Sequence, residues 1–286
     1  MYKIGFDIGG SSVKAAVLES DKVIKTTARD ITYVDKTEKL VNVLEDFYQK
    51  LTQEPGKGKV EKVGFSVAGA LDKEREKMLN SVNLSYLNNQ PLRRLFSEAV
   101  GDLPVALEND ANCFLVMEMK IGLARRFSNV YYVTIGTGVG GAMMIDKKLV
   151  VGAHGACGEP GHMIIDREKG LDLEELASNK FLKRKLGTAS LEARKKAAAG
   201  DKRALEIFEE LGANLGIGIT NVINIVDPEA VIIGGGVALA REFFEPRMRQ
   251  KIEELVTSPA ARQTKIIFNT DKKLCRFGGA VGAALM

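Results

Sequence analysis

A few short stretches hold the residues whose chemistry packing alone does not explain. "DIGGSS" sets Asp7 ahead of Gly9, Gly10, Ser11 and Ser12, and "GTGVGG" sets Thr137 and Gly138 in a second glycine cluster. A glycine turn lets backbone approach a ligand closely, and its bare N–H groups hold phosphate oxygens. Neither stretch continues into G-K-[ST] or opens a helix as a dinucleotide fingerprint would. Each alone reads equally well as a tight β-hairpin. Together they offer donors from two sides, which a nucleoside triphosphate lying between two lobes needs. Asp7 closes a strand just before the first turn. It suits orientation of a hydrated Mg2+ beside phosphates, or capping of nearby N–H groups.

Asp110 sits where the strand "LPVALEND" meets the helix "ANCFLVMEMKIG", a place that also suits an N-cap. Glu159 and His162 form a polar pair in "GEPGH" after a glycine-rich run. "EAVIIGGGVA" drives a buried strand into Gly234, Gly235 and Gly236, either a plain turn or a bare surface for a flat ligand.

The elements that position these residues come in two similar halves. Each opens with strand, glycine turn and strand, prolonged by a third: "KVIKTTARDIT" in the first, "KLVVG" in the second. In the first half Leu40, Val43, Leu44, Phe47 and Leu51 recur at helical spacing until "EPGKGK" breaks the helix. Strand "VEKVGFSVAGAL", helix "PLRRLFSEAV" and strand "LPVALEND" follow. The second half gives helical text in "LDLEELASNKFLKRKL", "SLEARKKAAAG" and "DKRALEIFEELGANLGIGITNVINIV", then strand, helix, strand and the small-residue run "GGAVGAALM". The pattern predicts an internal duplication of βββαβα type, with each half presenting one glycine turn.

Composition excludes several classes. The 286 residues are 45% hydrophobic and 27% charged, an ordinary soluble mixture. A net charge of +4, from 41 basic against 37 acidic residues, is too small for a nucleic-acid surface. No signal peptide opens the chain and no apolar run reaches the ~18 residues of a membrane span, so a cytoplasmic protein is expected, with no nucleic-acid or membrane partner. Cys113, Cys157 and Cys275 lack C-x-x-C pairing, and with His154 and His162 they complete no zinc set.

"DIGGSSVK", "LENDANC", "TIGTGVGGAMMIDKKLVVGAHGACGEPGH" and "DPEAVIIGGGV", in this order, resemble the ROK family of sugar kinases, within the hexokinase, Hsp70 and actin superfamily. The resemblance runs from about residue 3 to the end. It implies an α/β protein with the two-lobed actin-like, ribonuclease H-like ATPase fold, and an ATP- and Mg2+-dependent kinase acting on a small sugar as a homodimer or homotetramer. The small lobe is expected over 1–109, completed by a C-terminal helix at 276–286, and the large lobe over 110–275. Matching motif positions make Asp110 the catalytic base and Asn109 its sugar-binding neighbour. Glu159 and His162 become holders of sugar hydroxyls. "LEELAS" resembles the family's "LEAYAS", which carries a further sugar-binding role to Glu174, and Asn83 in "NSVNL" matches the asparagine of "PNL". Gly234, Gly235 and Gly236 match the turn beside the adenosine; Asp7 reaches Mg2+ through water.

One departure is plain. The family's zinc-binding C-x-C-G-x-x-G-C segment is missing from "GHMIIDREKGLDLEELAS", where Asp172 stands in place of the last cysteine. Zinc is therefore not expected. Glucose is the first choice of sugar, with N-acetylmannosamine, N-acetylglucosamine, fructose, mannose and allose as alternatives. A sugar sensor without catalysis is the rival, although ROK-like repressors carry a DNA-binding segment ahead of the first strand, and here the chain starts at that strand.

Overall fold

In "KIGFDI" and "VGFSV" alternate residues face opposite sides of a sheet. Phe6 and Phe65 stack at 5.2 Å, and Phe65 meets Phe96 at 4.7 Å, on the face covered by helices. Gly5 and Gly64 take the other face, where a Cβ would collide with the backbone of Ala280 and Ala283. The C-terminal small-residue helix therefore lies directly on the sheet.

The computed structural model of the chain describes residues 1–53, 59–101 and 103–286, so most of "EPGKGK" lies outside the described residues. Two units are present. The first comprises Met1–Arg125, Val151–Cys157 and Phe277–Met286; the second comprises Arg126–Val150 and Gly158–Arg276. The sequence reading begins the second lobe at Asp110, whereas these units keep the helix that starts there with the first.

The first unit runs β1 (Tyr2–Ile8), β2 (Ser12–Glu19), β3 (Lys22–Asp30), α1 (Thr37–Thr52), β4 (Val60–Val67), the short β5 (Ala70–Leu71) and β6 (Met78–Asn80), α2 (Leu92–Ala99), β7 (Val105–Asn109) and α3 (Asp110–Lys120). Its sheet has the order β3-β2-β1-β4-β7, antiparallel through β3, β2 and β1 and parallel through β1, β4 and β7. The helical spacing expected for α1 holds: its five buried residues are Leu40, Val43, Leu44, Phe47 and Leu51.

The second unit runs β8 (Val130–Ile135), β9 (Val139–Ile145), β10 (Lys148–Val150), β11 (Ile164–Asp166), β12 (Leu171–Asp172), α4 (Leu173–Ala177), α5 (Asn179–Leu186), α6 (Ser190–Ala198), α7 (Lys202–Val226), β13 (Ala230–Gly234), α8 (Glu245–Leu255) and β14 (Lys265–Phe268). The last helix, α9 (Lys272–Leu285), starts four residues earlier than expected from the sequence, and its residues from Phe277 pack with the first unit. The second sheet has the order β10-β9-β8-β13-β14 with the same pattern of directions. The duplication read from the glycine turns is real at the level of strand order.

The first stretch of helical text in the second half folds as two helices. "LDLEELASNKFLKRKL" is not a single helix, because Ser178 is extended and splits α4 from α5. The Ser178 hydroxyl accepts from Lys180 N–H to cap α5, while Asn179 N–H donates to the Gly136 carbonyl at 3.0 Å. The break ties this segment to the second glycine turn.

Candidate active site

In the first unit the parallel register sets Asp7 opposite Ser66 and Ser66 opposite Glu108, with Ile8, Val67 and Asn109 in the next row. Ligands of open α/β sheets gather at such carboxyl ends of strands. Asp7 is 5% exposed and each of its oxygens accepts one hydrogen bond: Ser66 Oγ donates to Oδ1 at 2.8 Å and Lys14 Nζ to Oδ2 at 3.0 Å. Asp7 and Lys14 face each other across the β1–β2 hairpin, so the first turn carries a cation at its base. The sequence reading missed Lys14. Its signal was the "DIGGSSVK" spacing, which pairs the two charges across the turn.

The turn itself closes through Gly9 N–H to the Ser12 carbonyl at 3.0 Å, leaving Gly10 and Ser11 exposed. The loop of Asn83 packs on it, with a Cβ at Gly10 falling 3.0 Å from that of Asn83. Ser81 builds this loop, donating its hydroxyl to the Ala68 carbonyl at 2.6 Å and accepting from Leu84 N–H.

Where β7 meets α3 the cap is Asn109, not Asp110. Asn109 stays extended, and its Oδ1 accepts from Ala111 N–H at 2.9 Å and from Asn112 N–H at 3.4 Å. Asp110 is thus the first helical residue, though its Oδ1 also receives Ala111 N–H at 2.9 Å. The Asn109 Nδ2 donates to the Gly69 carbonyl at 3.0 Å. Beneath lies the buried thiol of Cys113, whose pKa is raised well above 9.0, by burial first and then by the carboxylates of Glu108, Asp7 and Asp110. Asp7 and Glu108 share a row of the sheet through Ser66, and Asp110 follows directly on β7.

The second unit gathers its own set. The second turn closes through Gly136 N–H to the Gly138 carbonyl at 2.9 Å, with Thr137 exposed. Gly235, at φ +90°, lies against the backbone of Ile135, so the Gly234–Gly236 run borders that turn; Gly236 alone of the three is exposed. Glu174 also reaches it. Its Oε2 accepts from Val139 N–H at 3.1 Å and would clash with any Cβ at Gly138, while Oε1 pairs with Lys180 at 2.5 Å.

Asp172 answers how His162 and Glu174 are held. One oxygen stands 3.2 Å from His162 Nδ1, and the other accepts from Glu175 N–H at 2.9 Å. Glu175 returns the bond to Asp172 N–H at 3.1 Å, a capping box that opens α4 one residue before Glu174. His162 itself is 69% exposed. The Glu159 carboxyl is open to solvent yet crowded by protein, and this desolvation raises its pKa; His162 pulls it down and Glu174 pushes it up. Among the described residues, no three His, Cys, Asp or Glu side chains are placed to hold a metal ion, and no helix is long and apolar enough to cross a membrane.

Two duplicated α/β units, each with a glycine hairpin at the head of its sheet, define the actin-like ATPase fold. The comparisons agree: a ROK family glucokinase from Streptomyces griseus, solved with glucose and AMPPNP, superposes with a TM-score of 0.84 at 26% identity, covering 99% of this chain and 98% of that one. The ROK family model matches residues 3–286, and the chain belongs to that family. Among curated relatives, the β-glucoside kinase of Klebsiella pneumoniae is 29% identical over 262 residues, covering 86% of this chain and 85% of the relative. The glucokinase of Thermotoga maritima is 26% identical over 309 residues, covering 98% and 95%.

Proposed function

We propose that this chain is an ATP-dependent sugar kinase with Asp110 as its general base. The observation that carries the reading is the start of α3: Asn109 takes the capping role, so Asp110 is the first helical residue after β7, at the strand end and not its cap. Its ROK family relatives, two glucokinases and a β-glucoside kinase, support the reaction class.

A sugar hydroxyl is a poor nucleophile while protonated. Asp110 would accept that proton as the hydroxyl oxygen bonds to the γ-phosphorus, and the electron pair of the breaking bridging P–O bond would stay with ADP. Most remaining work is alignment and charge neutralisation. Gly9, Gly10, Ser11 and Ser12 on one unit, and Thr137 and Gly138 on the other, would offer N–H and hydroxyl donors to phosphate oxygens. Lys14 would add a positive charge beside the first turn, and Gly234, Gly235 and Gly236 would leave room for the adenosine.

Asp7 fits a magnesium ion held at second hand. Both its oxygens already accept a hydrogen bond, which leaves lone pairs for water rather than an open chelating face. Magnesium bound with ATP would supply charge neutralisation on the phosphates.

For the sugar, Asn83 and the second amide hydrogen of Asn109 on one unit, and Glu159, His162 and Glu174 on the other, would offer hydrogen-bonding groups. Such groups discriminate sharply, because a missing hydroxyl leaves protein groups unpaired. Glucose is the first choice, ahead of mannose, fructose, allose and the two N-acetylhexosamines; a β-glucoside joins the panel through the Klebsiella relative. Asp172 gives the sugar-binding segment a brace without zinc. The same reading includes a cytoplasmic homodimer or homotetramer. Turnover of MgATP across this panel, with wild type and Asp110→Asn, tests it.

A further inference from the structure

We propose that Arg75 is a positioning residue for the phosphoryl-transfer site, acting through Glu108 on Asn109 and Asp110; this rests on Asp110 being the base. Arg75 lies far from both glycine turns in sequence, on the loop between β5 and β6, and no motif pointed to it.

Three observations carry the inference. Glu108 is 6% exposed, and one of its oxygens, Oε1, accepts from Asn109 N–H at 2.8 Å and from Asn112 Nδ2 at 3.0 Å. The same oxygen stands 2.8 Å from Arg75 Nε, and Arg75 is 7% exposed. The carboxylate therefore clamps the residue before Asp110 and the first turn of α3, and Arg75 is its counter-ion. Asp7, also buried, lies in the same row of the sheet two strands away and already has Lys14 as its counter-ion, so an unpaired Glu108 would leave a buried negative charge uncompensated at this strand end.

Arg75 is itself held at a cost. Its φ is +59°, a conformation uncommon in residues other than glycine. Nη1 donates to the Asp72 carbonyl at 2.9 Å and to the Gly155 carbonyl at 3.4 Å, and Arg93 Nε donates to the Arg75 carbonyl at 3.1 Å. Among the described residues, Arg75 Nε and Nη2 and Asn112 Oδ1 are buried without a hydrogen-bond partner, so Arg75 Nε meets Glu108 as an ion pair and not through an aligned hydrogen bond. A buried ion pair with unsatisfied groups is weak support for stability and calls for another explanation.

Connectivity gives the strain a use. The β5–β6 loop leads onward to Asn83, and its other end is fastened by Asn109 Nδ2 to the Gly69 carbonyl. One guanidinium therefore couples the sugar-binding loop to the strand end that presents the base. Small displacements of a reacting group are expensive, with about 1 Å costing up to about a hundredfold in rate.

The test is steady-state kinetics with MgATP and the panel sugar turned over fastest, for Arg75→Met, Glu108→Gln, the double variant and Asp110→Asn. Arg75→Met should lose about tenfold in kcat with both KM values within about twofold, the signature of a lost transition-state alignment. The double variant should be no worse than the poorer single, because both residues act through one clamp. A lowered melting temperature with kcat intact would make Arg75 merely structural and overturn the proposal, as would additive losses. If Arg75→Met does not fold, the double variant, which strands no buried charge, decides: a wild-type kcat sinks the idea and a tenfold loss at unchanged KM upholds it. An active Asp110→Asn defeats the assignment of the base, a wild type silent on every sugar defeats the kinase reading, and either result takes this inference with it.

Discussion

Lys14 Nζ meets Asp7 Oδ2 at 3.0 Å across the first hairpin, and the carboxylate it neutralises is almost entirely buried. Replacing Lys14 by Met strands that charge with only the Ser66 hydroxyl for company. We expect a loss of about 3 kcal/mol in urea unfolding. The KM for ATP should also rise by about tenfold or more, while the sugar KM moves far less, since the first turn loses its cation. An unchanged ATP KM would remove Lys14 from the phosphate site.

Asp172 joins His162 to the cap of α4. Asp172→Ala should cost about 1 kcal/mol of stability through the lost cap. It should also raise the KM for sugar in preference to that for ATP, because His162 and Glu174 lose their common brace. Asp172→Asn keeps an N-cap oxygen, so it should recover most of the stability. Equal effects on both substrates would argue against bracing of a sugar subsite.

Much of this site was legible beforehand because it depends on local chain chemistry. Both hairpins announce themselves through glycine clusters between apolar runs, and the repeated strand order follows. The choice between Asn109 and Asp110 as cap was not legible. "END" offers two good capping side chains in succession, and only the point where β7 ends decides between them. Arg75 was hidden for a related reason: its left-handed backbone and its ion pair with Glu108 are tertiary facts, separated by thirty-three positions of chain. Glu174 reaching Val139 N–H, and the break at Ser178, likewise depend on where α4 docks rather than on periodicity.

Glu159 gives a pH prediction. Its carboxyl is raised above the ordinary value of 4.5, so it takes up a proton while a typical glutamate is still ionised. If the ionised carboxylate accepts sugar hydroxyls, the sugar KM must climb as pH falls, and the climb must begin above the usual glutamate range. Glu159→Gln should show a higher sugar KM at neutral pH that no longer climbs through this window. A wild-type KM that stays flat down to the usual glutamate range would exclude the ionised carboxylate as an acceptor.

The docking of α9 gives a stability prediction. A methyl group at Gly64 would run into the carbonyl of Ala283, which is backbone and has nowhere to rotate. Gly64→Ala should therefore destabilise the protein by about 3 kcal/mol, at the upper end of ordinary overpacking. A melting temperature within a degree or two of wild type would mean that α9 sits further from the sheet.

The most direct measurement is ADP release from MgATP by wild type and Asp110→Asn, across glucose, mannose, fructose, allose, N-acetylglucosamine, N-acetylmannosamine and a β-glucoside. The account predicts sugar-dependent turnover by the wild type with one of these. In the variant it predicts a fall of at least about a hundredfold, the scale of general-base catalysis, with sugar binding retained by calorimetry. Undiminished turnover in Asp110→Asn would contradict the assignment of the base. A wild type that binds a sugar yet releases no ADP would contradict the kinase itself and leave a sugar sensor in its place.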